Sequence, residues 1–262
     1  MTKELVRYET RGAVAWLTLD DPPVNGYSHD MMRQLDDAIL RARFDDDIQV
    51  MVLTGAGEKF FCAGANIAML NDVTPAFKYQ FCLHANETLL RLEHTPKLVI
   101  AALNGHTVGG GLEVALACDL RIARKGGGKL GAPEVALGVL PGTGGTQRLA
   151  RLMGKSKAML WMIDGKNVDF ETAAAEGLVH ELIDADDFQG AVQEKALSYC
   201  APNKASMAVG LIKRSVQTGA EVSLEAGLAR ERELQARLFA SEDAATGLAA
   251  YMAKEKPRFQ GR

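Results

Sequence analysis

Several absences narrow this sequence before any motif is weighed. Its four cysteines, Cys62, Cys82, Cys118 and Cys200, form neither a C-x-x-C pair nor a cluster; this argues against a disulfide framework or zinc site and for a reducing compartment. Histidines 29, 84, 94, 106 and 180 contain no H-x-x-x-H pair, so the chemistry sought here calls for no metal. No G-x-S-x-G element seats a hydrolase serine. Neither Gly55-Ala56-Gly57 nor the triple glycine at 109–111 extends to G-x-G-x-x-G, and no phosphate-loop lysine and hydroxyl follow, so a nucleotide fold has no support. No sign of charge prevails: 30 basic residues against 33 acidic ones leave a net charge of −3. No global field then draws nucleic acid or an anionic membrane, and an anionic ligand must be held locally. Long apolar runs are missing too, since the stretch Leu98 to Cys118 is broken by Asn104, His106, Glu113 and several glycines. Met1 to Asp20 alternates polar and apolar residues without the apolar core of a signal peptide, so a mature, soluble, cytoplasmic protein is expected.

What remains is an ordinary globular composition, 47% hydrophobic and 24% charged over 262 residues, long enough to close a substantial core. The first half reads as strands and helices in alternation. Leu5 to Thr10 and Ala13 to Leu19 form a hairpin around Arg11-Gly12, Ser28 to Phe44 has apolar residues at helical spacing, and Val50 to Leu53 is a buried strand. Leu98 to Leu103, a short helix Gly111 to Cys118 and Leu120 to Ala123 repeat the theme, so an α/β fold of recurring ββα units is expected. Beyond Gly142 the pattern turns almost wholly helical: Thr146 to Met162, Phe170 to Glu176, Phe188 to Tyr199, Lys204 to Thr218, Leu224 to Phe239 and Ala244 to Lys254. The row Leu224, Leu228, Leu234 and Leu238 needs a partner surface, either its own domain or a second subunit.

Two glutamates in glycine-rich frames stand out. Glu113 closes Gly109-Gly110-Gly111-Leu112-Glu113, and Glu134 closes Gly131-Ala132-Pro133-Glu134. The first lies in the opening turn of a helix, where the dipole favours an ionised carboxylate and hence a general base; the alternative is a capping or surface glutamate. The second is embedded in apolar sequence, where burial raises its pKa and suits a general acid; the alternative is a loop glutamate. Glycines beside them let a substrate atom reach backbone N–H groups. If the amides of Ala65, in Phe61-Cys62-Ala63-Gly64-Ala65-Asn66-Ile67, and Gly110 converge, they form a two-donor oxyanion hole, each donor contributing about 2.7–4 kcal/mol to transition-state stabilisation.

The ordered set FCAGANI, AALNGHTVGGGLEVALACDL and GAPEVALGVLPGTGGTQRLARLMG resembles the enoyl-CoA hydratase (crotonase) family over essentially the whole chain. The resemblance implies a crotonase-like spiral of ββα units over residues 1–195 and a helical oligomerisation region over 196–262 that builds trimers, commonly paired into hexamers. It implies an acyl-CoA substrate, no separate cofactor, and amides of Ala65 and Gly110 that bind the thioester oxygen. Glu113 would activate water for attack at the β-carbon, and Glu134 would protonate the α-carbon. Substrate and CoA contacts carried over in the same way are Val24, Ala63, Gly64, Asn66, Ile67, Gly109, Pro141 and Gly142. Retention of both glutamates favours a hydratase over the related isomerases and hydrolases.

Two departures from the family pattern qualify this. Asn66 stands where relatives usually carry an aspartate, and Gly26-Tyr27-Ser28 stands where many have an N-A-L/M stretch with shorter side chains, so Tyr27 is either an aromatic core plug or part of the acyl entrance. With Phe81, Trp161 and Met162 it leaves room for a specialised hydratase of branched, cyclic or aromatic-derived enoyl-CoA. Some relatives bind RNA through a lysine-rich helix; here Asp30 to Asp47 carries Asp36, Asp37, Asp45, Asp46 and Asp47 and should repel phosphate. A catalytically silent assembly subunit is the remaining reading.

Overall fold

The computed structural model describes residues 3–184 and 186–262. Strands β1 (Val6–Arg11) and β2 (Val14–Leu19) form an antiparallel hairpin whose closing pair is Arg11 and Val14. Helix α1 (His29–Phe44) starts where the Ser28 hydroxyl accepts the Met31 amide proton, and it buries one stripe, Met31, Met32, Leu35, Ala38, Ile39 and Ala42. There follow β3 (Val50–Gly55), β4 (Phe60–Cys62), α2 (Ile67–Asp72), α3 (Pro75–His94), β5 (Leu98–Leu103), β6 (His106–Val108), α4 (Gly110–Leu116), β7 (Leu120–Arg124), β8 (Lys129–Gly131) and a 3₁₀ turn, Glu134–Leu137. The remainder comprises α5 (Gly145–Met153), α6 (Lys155–Ile163), β9 (Asn167–Asp169), α7 (Phe170–Ala175), β10 (Glu181–Ile183), α8 (Phe188–Leu197), α9 (Ser206–Gly219), α10 (Leu224–Phe239) and α11 (Glu242–Ala253).

Two sheets organise these elements. The larger runs β1-β2-β3-β5-β7-β10 and the smaller β4-β6-β8-β9. Three times the chain passes from a strand of the large sheet to a short strand of the small one, β3 to β4, β5 to β6 and β7 to β8, before turning helical. This is the ββα spiral that the family resemblance implied. Neighbours β4, β6 and β8 are parallel, with Cys62 beside Thr107 and Val108 beside Gly131. Their carboxyl ends, and the loops that leave them, therefore lie side by side.

The central strands of the large sheet are buried on both faces, which is why β3 and β5 read as continuous apolar runs. Leu17, Met51, Leu53, Val99, Ala101 and Leu103 face the main core with α1 and α3. The alternate residues Trp16, Val50, Val52, Ile100 and Ala102 face Phe188, Val192 and Ala196 of α8. Helix α9 is fastened to this body by a buried ion pair, Lys213 Nζ to Asp119 Oδ2 at 2.8 Å, while the same ammonium donates to the carbonyls of Leu92 and Lys97 at 3.1 Å each. Removing one partner of such a pair costs about 3–5 kcal/mol.

The region beyond Gly142 differs from expectation in two ways. The single helix Thr146 to Met162 is two helices, broken at Gly154, whose φ of 82° a helix cannot contain. The stretch is also not wholly helical: β9 pairs antiparallel with β8, and β10 extends the large sheet alongside β7. Both are three-residue strands, too short to show a period of two. Helix α8 runs across the 195/196 boundary proposed between core and helical region. Of the leucine row on α10, Leu234 is buried, whereas Leu224 and Leu228 are 78% and 43% exposed. No helix among the described residues is long and apolar enough to cross a membrane.

Candidate active site

The three adjacent strand ends carry the residues singled out by sequence. After β4 comes Ala63 to Asn66, after β6 Gly109-Gly110, and after β8 Pro133-Glu134. Two glycines allow the first pair of segments to touch. Gly64 has a φ of 91°, and a Cβ on it would stand 2.9 Å from the Gly110 nitrogen; a Cβ on Gly110 would stand 2.1 Å from the Tyr27 hydroxyl. The surrounding amides are committed: Ala63 N donates to Val24 O (3.0 Å), Asn66 N to Tyr27 O (2.9 Å) and Gly109 N to Gly131 O (2.8 Å). The amides of Ala65 and Gly110 have no backbone acceptor among the described residues. Asn25 steadies the entering loop, its Nδ2 donating to the carbonyls of Ala56 (3.0 Å) and Phe60 (2.9 Å).

Glu113 sits on α4, only 3% exposed, and receives three hydrogen bonds. The amides of Thr143 and Gly145 both donate to Oε1 at 2.7 Å, and the Thr143 hydroxyl donates to Oε2. A carboxyl group offered only donors has the geometry of the ionised form. The donating loop is itself held: Arg148 Nη1 donates to Thr143 O at 3.1 Å, and the rest of that guanidinium grips Glu93 of α3 through bonds of 2.8 and 2.7 Å.

Glu134 is placed in the opposite way. Both of its carboxylate oxygens are buried and neither has a hydrogen-bond partner among the described residues. Burial lifts its carboxyl from the ordinary 4.5 to about 7, and the nearby Glu113 charge adds to the rise. A Cβ on Gly109 would stand 3.3 Å from Glu134 Oε1, so the glycine frame brings this carboxyl against the backbone that leads into α4. One carboxylate thus accepts three donors and the other none.

A profile of the enoyl-CoA hydratase/isomerase family matches residues 9–262. The chain belongs to that family. Among its relatives, the short-chain-enoyl-CoA hydratase of Clostridium acetobutylicum is 34% identical over 249 residues, covering 95% of this chain and 94% of the relative. The 2,3-dehydroadipyl-CoA hydratase of Escherichia coli is 35% identical over 260 residues, covering 95% and 96%. The crystal structure of an enoyl-CoA hydratase from Geobacillus kaustophilus superposes with a TM-score of 0.96 at 41% identity, covering 100% of this chain and 98% of the other.

The remaining residues that the family resemblance marked are distributed unevenly around this pair. Pro141 is buried with its Cβ close to Gly145, and Gly142 faces the Cys82 sulfur. Val24 holds the Ala63 turn through its carbonyl. The Asn66 side chain caps α2 by accepting the Met69 amide proton at 3.0 Å, and Ile67 is 59% exposed. Tyr27 and Phe81 pack together in the core, ring centroids 5.9 Å apart, and Trp161 is buried there as well. Sequence reasoning missed Thr143, the Gly145 amide and the Arg148–Glu93 clamp, none of which carries a local signal pointing back to Glu113. Two surface hollows lie on the C-terminal helices, one against Glu231, Arg232, Gln235, Ala236 and Phe239, and neither contains a residue of this cluster. Among the described residues, no three His, Cys, Asp or Glu side chains are grouped to hold a metal ion.

Proposed function

We propose that this chain is an enoyl-CoA hydratase, a hydro-lyase that adds water reversibly across the α,β double bond of an acyl-CoA thioester. The observation that carries this reading is the pair of carboxyls in opposite surroundings, Glu113 with three donors and Glu134 with none and a pKa of about 7. In the proposed reaction the uncommitted amides of Ala65 and Gly110 receive the thioester oxygen and stabilise the charge it gains in the enolate-like transition state. Glu113 takes a proton from water as its oxygen bonds to the β-carbon. The π electrons move to the α-carbon, which takes the proton of Glu134. Exchange with solvent restores both carboxyls, and dehydration uses the same groups in reverse. No cofactor beyond the CoA portion of the substrate enters this scheme.

The exposed apolar run Val135, Leu137, Val139 and Leu140, which follows Glu134, suits an aliphatic acyl group. Main-chain groups of Val24, of Ala63 to Ile67 and of Gly109 would meet the CoA portion, with Pro141 and Gly142 near the acyl group. Ile212, Val216, Leu224, Phe239, Leu248, Tyr251 and Met252 on α9–α11 are all more than half exposed. This favours assembly as a homotrimer or a pair of trimers. Four free cysteines fit a reducing cytoplasm. The test is a panel of straight, branched and cyclic enoyl-CoA thioesters, followed by loss of the conjugated absorbance and by mass. Gain of one water supports the reading. A shifted double bond at constant mass would make the enzyme an isomerase, and no turnover across the panel would refute the hydratase assignment.

A further inference from the structure

Tyr27 reaches both halves of the site at once. Through its main chain it brackets Ala65, its N–H donating to Gly64 O and its carbonyl accepting from Asn66 N, each at 2.9 Å. Through its side chain it meets the loop that holds Glu113: the phenol oxygen lies 3.0 Å from Thr143 Oγ1, with Tyr27 and Thr143 both 2% exposed. The direction of that bond follows from counting protons. A hydroxyl has one hydrogen, the one on Thr143 is given to Glu113 Oε2, and an ionised carboxylate can only accept. The Thr143 oxygen must therefore accept from the phenol. Tyr27, Thr143 and Glu113 form a one-way chain of donors ending on the carboxylate.

The phenol has little freedom to leave this arrangement. Its hydroxyl is wedged against Gly110 and its ring packs on Phe81. Burial, and then the charge of Glu113, push its pKa well above 10, so it stays a neutral donor and does not compete for the reacting proton. The cysteines that face it, Cys62 and Cys82, and the carboxylate itself are the titratable groups around it; burial holds the Cys62 thiol at about 12.

We infer that Tyr27 is a positioning residue of this site, fixing the Ala65 amide through its main chain and the Glu113 carboxylate through the Thr143 hydroxyl. The inference rests on the reading of Glu113 as the base. With the phenol occupying one side of Thr143 Oγ1, the hydroxyl proton stays directed at Glu113 Oε2 and the carboxylate keeps one rotamer.

The experiment is steady-state hydration of a short straight-chain enoyl-CoA by wild type, Glu113→Gln, Tyr27→Phe, Thr143→Val, Thr143→Ser and the Tyr27→Phe/Thr143→Val double variant, with melting temperatures as a folding control. Tyr27→Phe removes one hydrogen bond between neutral groups and lowers kcat about 3- to 10-fold at unchanged KM. Thr143→Val removes the bond to the charged group and lowers kcat about 10- to 100-fold, whereas Thr143→Ser stays within about twofold of wild type. Because both act through one chain, the double variant is no slower than Thr143→Val alone. Wild-type kcat in Tyr27→Phe, a loss confined to KM, or losses that multiply in the double variant would each overturn the positioning role while leaving the hydratase reading intact. An inactive wild type or an active Glu113→Gln would overturn the base assignment, and this inference with it.

Discussion

The two glutamates are the same side chain in two kinds of ground. Glu113 lies on a helix deep in the spiral, held by a loop that an Arg148–Glu93 pair bolts to α3. Glu134 opens a short 3₁₀ turn, its carboxyl without a hydrogen-bond partner among the described residues, with exposed apolar residues running away from it. In the proposed mechanism, donors on one carboxyl and bare burial on the other would divide the labour: the group rich in donors would take a proton as an anion, and the deprived one would give it. Surroundings, more than residue type, carry that proposal.

That contrast can be broken most severely by removing either charge. Glu113→Gln and Glu134→Gln should each lower kcat for hydration by about 10²- to 10⁴-fold while the affinity for an acyl-CoA product, measured calorimetrically, is retained. Gly110→Pro leaves both carboxyls but deletes an amide beside them and sets a Cβ against the Tyr27 hydroxyl. It should cost at least about 10²- to 10³-fold in kcat, and normal turnover would dismiss the oxyanion-hole assignment.

A milder test exploits the pKa of about 7 at Glu134. Hydration needs its protonated form, so kcat/KM should fall as pH rises through about 7. Dehydration of the 3-hydroxyacyl-CoA needs the ionised form and should fall as pH drops through the same value. Parallel profiles in the two directions would mean that Glu134 is not the acid.

The smallest effect is on stability. A carboxyl whose folded pKa stands above its unfolded value stabilises the fold below about 4.5, and that contribution is lost as pH rises through about 7. Glu134→Gln should therefore melt higher than wild type at pH 8 and lose that advantage below about pH 4.5. An equal melting temperature at pH 8 would show that the buried carboxylate costs the fold nothing.

The parts legible in the sequence were those with a local signature. Apolar residues at helical spacing between Ser28 and Phe44 announced α1, and continuous apolar runs announced β3 and β5. The glycine frames announced both glutamates. Thr74-Pro75, an N-cap followed by proline at the first helical position, marked α3 just as clearly and was not read. Gly154 was likewise available as a break within the stretch read as one helix. What no local pattern could supply was pairing at a distance. Strands β9 and β10 exist because β8 and β7 offer free edges, not because three residues prefer to be extended. Thr143 becomes part of the site only because the spiral folds its loop over α4.

The contact between Gly64 and Gly110 has a consequence for how this protein would respond to a saturation mutagenesis scan. Most functional positions reveal themselves when a side chain is taken away. Here the backbone of one turn lies so close to the next that positions 64 and 110 have no side chain to lose and no room to gain one. Their importance would be silent to deletion and visible only as intolerance of every addition. Replacements at 135, 137 and 139, whose side chains are exposed, would be widely accepted for folding and, under the proposed acyl contact, sorted instead by which acyl group the enzyme then prefers.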